Sequence, residues 1–100
     1  MMPSSVRIFV CSEPQDMRRS FDGLSRAVEE HLGEDPHSGA LYCFVNKRAN
    51  RLKVLWADGS GLCILYKRVH GAKFQLPGKR VIHARALAEV LRGIENDRRR

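Results

Sequence analysis

The sequence has few cysteines and no long apolar run, and both shortages narrow the class of protein. Three cysteines occur in 100 residues, Cys11, Cys43 and Cys63. Their number is odd and none forms a C-x-x-C pair, which argues against a disulfide framework and a zinc ribbon. No stretch approaches the roughly 20 apolar residues of a membrane span, and the six-residue run before Ser12 contains Arg7. We therefore expect buried free thiols in a cytoplasmic protein that contacts no membrane.

Groups that carry out catalysis or bind metals are also sparse. The four histidines match no compact metal-binding spacing; they are His31, His37, His70 and His83. A two-metal nuclease would need converging carboxylates, for which Asp16, Asp22 and Asp58 are the candidates. Each has a simpler explanation: Asp16 as a helix cap, Asp22 as a helix-surface partner of Arg18, and Asp58 as a turn residue. The sequence predicts no catalytic residue, no metal site and no cofactor.

Acidic side chains are nearly absent from the second half of the chain. Between Lys47 and Arg85, Asp58 is the only acid and ten residues are basic, whereas residues 1–46 carry four arginines against seven acids. A basic surface binds phosphate with release of condensed counterions, so binding weakens steeply with salt. A solubilising face is the simpler alternative, because a net charge of +7 alone says nothing about recognition. The charge distribution predicts polyanion binding.

Periodicity indicates alternating strands and helices. A short strand precedes an amphipathic helix that we expect from Met17 to Leu32, with Asp16 as its N-cap and Gly33 as its stop. Three strands joined by short loops predict an antiparallel meander: Leu41 to Val45, Arg51 to Ala57 and Leu62 to Arg68. A short edge strand is expected at Phe74 to Leu76, and a second helix from Ala84 to Ile94.

These elements predict an α+β fold. A small antiparallel sheet of three to five strands would be packed by one N-terminal amphipathic helix, with a second helix near the C-terminus. Residues 1–95 would form one domain and residues 96–100 a basic flexible tail. Because a domain of this size buries proportionately little surface, pairing into a homo-oligomer is a common remedy.

Three collinear motifs carry a family resemblance. They are DMRRSFDGL at 16–24, DPHSG at 35–39, and DGSGL at 58–62 followed by YKR at 66–68. In these motifs the chain resembles the small accessory proteins of IS66-type insertion sequences, called Orf2 or TnpB of that element. The resemblance implies a role in transposition beside a separate transposase, without a catalytic activity of its own. His37 and Leu76 depart from the family pattern, where Phe and Trp are common.

The hairpin side of the meander is the candidate DNA-binding surface. Its proposed phosphate contacts are Lys47, Arg48, Arg51, Lys53, Lys67 and Arg68. We expect Lys53 and Lys67 to lie near one another on a shared sheet face. Aromatic residues between these bases offer platforms for unpaired nucleotides, although core packing is the simpler explanation, above all for Phe44 and Trp56; the aromatics are Tyr42, Phe44, Trp56 and Tyr66.

Arg18 and Arg19 form a second candidate site. Both would lie in the first helical turn, where the macrodipole disfavours cations unless a phosphate or acidic partner is near. A solvated pair partly neutralised by Asp22 is the structural alternative. If these residues and the basic hairpin contact protein, the chain is an adaptor to the transposase or another accessory subunit and touches no nucleic acid.

Overall fold

The computed structural model describes residues 6–95, so the predicted basic tail at 96–100 lies outside the described residues. The fold is α+β, with a five-stranded sheet and two helices. In chain order the elements are β1 (Ile8–Val10), α1 (Phe21–Ala27), which continues as a π-helical turn (Val28–Leu32), β2 (Leu41–Val45), β3 (Arg51–Ala57), β4 (Leu62–Arg68), β5 (Ala72–Lys73), β6 (Val81–Ile82), α2 (Ala84–Arg92) and β7 (Ile94–Glu95).

The large sheet has the strand order β4-β3-β2-β1-β6. The predicted meander β2-β3-β4 is confirmed, and both of its links are antiparallel. A wholly antiparallel sheet is wrong, because β1 pairs in parallel with β2, with Ile8 opposite Leu41. The chain between these two strands contains α1, and a helical crossover returns the chain to the same end of the sheet before the next strand begins.

The two helices cover opposite faces of the sheet. On one face, α1 and its π-helical turn pack with Phe9, Tyr42, Phe44 and Leu55. On the other, Leu87 and Val90 of α2 pack with Ile8, Val10, Cys43 and Val54. The central strands are therefore buried on both sides. Four successive residues of β3, from Leu52 to Leu55, are buried, and they include Lys53, one of the phosphate contacts expected from the sequence.

The first helix begins later than its apolar pattern predicts. It starts at Phe21, and the carboxylate of Asp16 accepts the backbone N–H of Arg18 at 2.9 Å in a turn that precedes the helix. Asp16 is therefore not the helix N-cap, and Arg18 and Arg19 lie ahead of the first helical turn. The predicted stop is confirmed, because Gly33 adopts a left-handed conformation with φ of 64° after Leu32.

The C-terminal part also differs from the predicted pattern. Phe74 to Leu76 forms no strand; Phe74 is buried and its N–H donates to the carbonyl of Ala49 at 2.7 Å. The short pairing in this region joins Ala72–Lys73 to Ile94–Glu95. The second helix ends at Arg92 rather than Ile94. Within residues 6–95, neither helix has the length and apolar character that crossing a bilayer requires.

Candidate nucleic-acid interface

Four segments meet at one groove beside the β2–β3 hairpin. The groove encloses about 660 Å³ and is lined by residues of the 14–18 turn, the 46–48 loop, β3 and β4. A smaller hollow of about 200 Å³ continues along Arg51, Tyr66 and Arg68. We call this surface the basic groove and define it by Arg18, Lys47, Arg48, Arg51, Tyr66 and Arg68.

The hairpin loop owes its shape to Asn46. Its side-chain oxygen accepts the backbone N–H groups of Asn50 at 3.0 Å and Arg51 at 2.9 Å. Its amide nitrogen donates to the side chain of Asn50 at 2.7 Å. This local network provides hydrogen-bond acceptors for backbone N–H groups of the loop. The side chains of Lys47 and Arg48 take no part in it, and both are exposed.

A backbone contact brings the 14–18 turn to the hairpin. The N–H of Gln15 donates to the carbonyl of Val45 at 2.8 Å, at the end of β2. Through that contact Arg18 and Lys47 line the same groove although they are far apart in sequence. No local pattern in the sequence predicts this approach, so from the sequence alone the two groups are expected to be separate sites.

Arg51 and Arg68 are opposite one another across β3 and β4. Arg51 donates to the hydroxyl of Tyr66 at 3.0 Å. Among residues 6–95, neither arginine forms an ion pair, and the same is true of Lys47 and Arg48. Directly opposed like charges destabilise a strand pair, by up to about 1 kcal/mol. An anion bound between the two guanidinium groups would remove that repulsion.

Arg18 is held by Asp16. Its guanidinium donates to both carboxylate oxygens, with the shortest distance, 2.6 Å, from Nη2 to Oδ2. These hydrogen bonds lower the pKa of Asp16 to about 2. The expected pairing of Arg18 with Asp22 is therefore wrong. Arg18 remains exposed at the rim of the basic groove, where its charge is partly neutralised.

Arg19 is turned into the fold. It donates to the side-chain oxygen of Gln15 at 3.0 Å and to the carbonyl of Gly23 at 3.4 Å. An added Cβ at Gly23 would lie 3.0 Å from the Arg19 side chain, so the absence of a side chain at Gly23 makes room for Arg19. Arg19 thus connects the turn to α1.

Lys53 and Lys67 do not share a sheet face. Lys53 is opposite Tyr66 and Lys67 is opposite Leu52, so the two ammonium groups project to opposite sides. Lys53 is only 7% exposed and donates to the carbonyl of Arg19 at 2.7 Å. Lys67 donates to the carbonyl of Leu91, near the end of α2, at 2.7 Å. The prediction that they form one patch is wrong.

Of the four aromatic residues considered as nucleotide platforms, Tyr66 is the one that lines the basic groove. Tyr42 and Phe44 are fully buried, and Tyr42 stacks on Phe9 with ring centres 5.4 Å apart. Trp56 is half-buried on the α2 side. Tyr66 is 49% exposed. Core packing thus accounts for the first three, and Tyr66 remains available for stacking.

The groups considered for metal or redox chemistry are dispersed. Within the described residues, no three His, Cys, Asp or Glu side chains are close enough to hold a metal ion. The pKa of Asp58 is lowered because its carboxylate accepts the backbone N–H of Ser60 and other donors of the 58–61 turn. All three thiols are free, and β3 separates the strands that carry Cys43 and Cys63.

Comparison with known proteins identifies the family. The family described as IS66 Orf2-like protein matches residues 6–100. The chain belongs to the IS66 Orf2-like family. One relative, "Uncharacterized protein y4hO" of Sinorhizobium fredii (strain NBRC 101917 / NGR234), is 35% identical over 95% of this chain and 88% of its own length. A second from the same strain, "Uncharacterized protein y4jC", is 38% identical over 72% of this chain and 62% of its own length. No solved structure matches.

Membership of the IS66 Orf2-like family supports an accessory role in transposition. The motif at 16–24 supplies the groove rim and the start of α1. The motif at 35–39 is a turn in which the carbonyl of Asp35 accepts the buried Tyr42 hydroxyl at 2.8 Å. His37, which departs from the family pattern, is exposed in this turn, so the core does not depend on it.

Proposed function

We propose that this IS66 Orf2-like protein is a non-enzymatic accessory protein of transposition that binds DNA phosphates through the basic groove. The contacts are Lys47, Arg48, Arg51 and Arg68. The observation that carries the proposal is the opposition of Arg51 and Arg68 across two strands, without a carboxylate partner among the described residues.

Two of the six phosphate contacts expected from the sequence are left out of this proposal. Lys53 and Lys67 each direct their ammonium group to a backbone carbonyl. Such a group would lose its hydrogen bond on turning to a phosphate, and Lys53 would also leave a buried site. Within residues 6–95, the remaining four basic side chains make no such bond to a carbonyl, and they lie on or beside one groove.

The groove also has a feature suited to unpaired nucleotides. Tyr66 lines the smaller hollow together with Arg51 and Arg68. Aromatic stacking contributes about 1–3 kcal/mol per unpaired base and is unavailable to a base inside a duplex. We propose that the groove binds DNA with unpaired bases more tightly than duplex DNA, with Tyr66 as the stacking platform.

A salt titration tests the phosphate contacts. Fluorescence anisotropy with labelled element-end DNA would be measured over a range of salt concentrations, with random-sequence competitor. Four contacts predict a slope of about −3.6 in log affinity against log salt for duplex. The double variant Arg51→Gln/Arg68→Gln should reduce the slope to about −1.8. Arg85→Gln is the matched control, because Arg85 is exposed on α2, across the sheet, and its loss should leave the slope unchanged.

The DNA form is tested separately with Tyr66→Leu. This variant should weaken binding to single-stranded DNA by about fivefold or more and affect duplex binding less. Equal losses for both forms would remove the stacking role and leave the phosphate contacts in place.

The adaptor function is the competing outcome. No DNA binding below millimolar concentrations at low salt would reject the proposal. Loss of transposase recovery in a pull-down by Arg51→Gln/Arg68→Gln, with retention by Arg85→Gln, would then assign the basic groove to an acidic protein surface. Arg18→Gln in the same assay tests the rim of the groove as a partner contact.

A further inference from the structure

The strand β4 forms one edge of the five-stranded sheet, and its outer side is open within the described residues. Two hydrogen bonds fix which backbone groups face outward. At one end the N–H of Asp58 donates to the carbonyl of Gly61, and at the other the N–H of Val69 donates to the carbonyl of Asn50, both at 3.0 Å. In an antiparallel ladder, hydrogen-bonded pairs alternate with non-bonded pairs.

Counting residue pairs along β4 from the Asp58–Gly61 bond or from the Val69–Asn50 bond gives the same alternation of bonded and non-bonded pairs. Cys63, Leu65 and Lys67 direct their N–H and C=O groups inward to β3. The residues between them direct these groups outward, and none has a backbone partner there among residues 6–95; they are Leu62, Ile64, Tyr66 and Arg68. These four outward-facing residues, at every second position of β4, form a regular template for another strand.

Apart from Lys67 and Arg68 at one end, this edge lacks the features that usually prevent strand association. Protective edges are short, bulged, or charged along their length. β4 has seven residues in unbroken register with β3, and Leu65 is 40% exposed. By comparison, the opposite edge strand, β6, has two residues. The apolar part of β4 therefore has the geometry that an added strand requires.

We propose that β4 pairs antiparallel with β4 of a second copy of this chain, about a two-fold axis at Leu65. In this register Ile64 is opposite Tyr66 of the second copy, and Leu62 is opposite Arg68 of the second copy. All outward groups pair, because the outward positions of one strand meet the outward positions of the other. The two sheets join into one sheet of ten strands.

The charge distribution along β4 selects a second copy in the antiparallel direction. Lys67 and Arg68 are at one end of the strand, and the turn containing Asp58 is at the other. Antiparallel pairing brings the basic end of each copy to the Asp58 end of the other. Asp58 is the only acid between Lys47 and Arg85. The β3–β4 hairpin thus carries both the acidic group and the basic groups, Lys67 and Arg68, that would pair with it in the second copy. Parallel pairing would instead set Arg68 beside Arg68 of the second copy.

The arrangement places both basic grooves on the same face. Arg68 lies three residues from the axis in each copy, so the two Arg68 positions are about 20 Å apart along the strand direction. The dimer would present two equivalent anion-binding grooves to one extended ligand. The association itself does not depend on that ligand.

Sedimentation equilibrium of the full chain tests the dimer. Leu65 faces Leu65 of the second copy, so Leu65→Glu and Leu65→Lys each place like charges at the axis and should raise the dimer dissociation constant about tenfold. An equal mixture of the two variants should restore dimer formation, because Glu then faces Lys. Val81→Glu is the matched control; Val81 is a 44% exposed apolar residue on the other edge, and its substitution should leave the mass unchanged.

A crosslink tests the register without depending on the stability of the charged variants. The Leu65 pair is a non-hydrogen-bonded pair, with Cα atoms about 4.5 Å apart, which is within disulfide range. Leu65→Cys in a Cys63→Ser background should therefore form a disulfide dimer under mild oxidation, and Val81→Cys in the same background should not. A monomeric wild type at all concentrations, an undiminished dimer of both charged variants, or equal crosslinking of the control would overturn the proposal.

Discussion

The ammonium group of Lys53 lies 4.6 Å from the centre of the Tyr66 ring. The same group donates to the carbonyl of Arg19, so one buried cation connects β3, β4 and the segment ahead of α1. Lys53 therefore supports the basic groove from beneath: it contacts the ring that lines the groove and holds the turn that ends in Arg19.

Lys53→Ala should lower the free energy of unfolding by about 2 kcal/mol. The variant removes a hydrogen bond from a charged donor and a cation–π contact, and leaves the Arg19 carbonyl without its donor. Urea denaturation measures the change. Lys47→Ala is the matched control, because an exposed lysine without these contacts should change stability by no more than about 0.5 kcal/mol. An equal effect of the two substitutions would contradict the supporting role of Lys53.

Arg18→Gln should raise the pKa of Asp16 from about 2 toward its ordinary value near 3.9. The principal cause of the lowered pKa is the hydrogen bonding from the Arg18 side chain. Because folding lowers this pKa, the contribution of the pair to stability is present above about pH 4 and is lost as the pH falls through about 2. Carboxyl NMR titration gives the value directly. Arg19→Gln is the control and should leave it near 2, because Arg19 is the smallest contributor.

Ser25→Ala should stabilise the protein by up to about 1 kcal/mol. The hydroxyl of Ser25 is buried in α1 without a hydrogen-bond partner among the described residues. Alanine removes the unsatisfied group and has the higher helix propensity. Ser38→Ala should have the opposite sign, because the Ser38 hydroxyl is 2.7 Å from the hydroxyl of Tyr42 and also accepts the N–H of Ala40. Thermal denaturation of both variants checks these two opposite predictions. If Ser25→Ala is less stable than the wild type, the Ser25 hydroxyl has a hydrogen-bond partner.

The three thiols should react in a fixed order. Burial raises the pKa of Cys43 to about 12 and also raises the pKa of Cys11 and Cys63. Cys63 is half-buried on the edge strand, whereas the other two are buried. Iodoacetamide should therefore modify Cys63 first, and Cys63→Ser should remove the fast phase; peptide mass spectrometry follows each site. Modification of Cys43 at the same rate would contradict the buried position of that thiol.

Local patterns in the sequence are enough to predict the meander. The bounds of β2, β3 and β4 agree with the predicted strands because turn-forming residues separate them, with Asn46 closing one loop and Asp58 the other. The positions of Lys47 and Arg48 follow from the same loop. For these elements, short-range hydrogen bonds decide the structure.

The burial of Lys53 depends on tertiary contacts and could not be predicted from alternation alone. Alternation along β3 correctly separates two faces but does not show that α1 covers the face that carries Lys53. The start of α1 has a similar cause. An aspartate that closes a turn on the second following N–H has the same sequence pattern as a helix cap, and Asp16 forms such a turn.

The grouping of Arg18 with Lys47 likewise depends on a long-range contact. It follows from the bond between Gln15 and Val45, which no spacing rule predicts. Most of the basic side chains of the site can therefore be predicted from the sequence. Which of them line one groove is determined by tertiary contacts.

The position of β1 constrains the order in which the sheet is assembled. Ile8 pairs on one side with Leu41 and on the other with Ile82, so the first strand of the chain acquires both neighbours only from segments synthesised later. The meander, by contrast, closes through short loops, and such contacts form early in folding. In a chain that stopped before Val81, one edge of β1 would have no partner strand. The β1–β6 half of the sheet is therefore where we expect native structure to be completed last during synthesis.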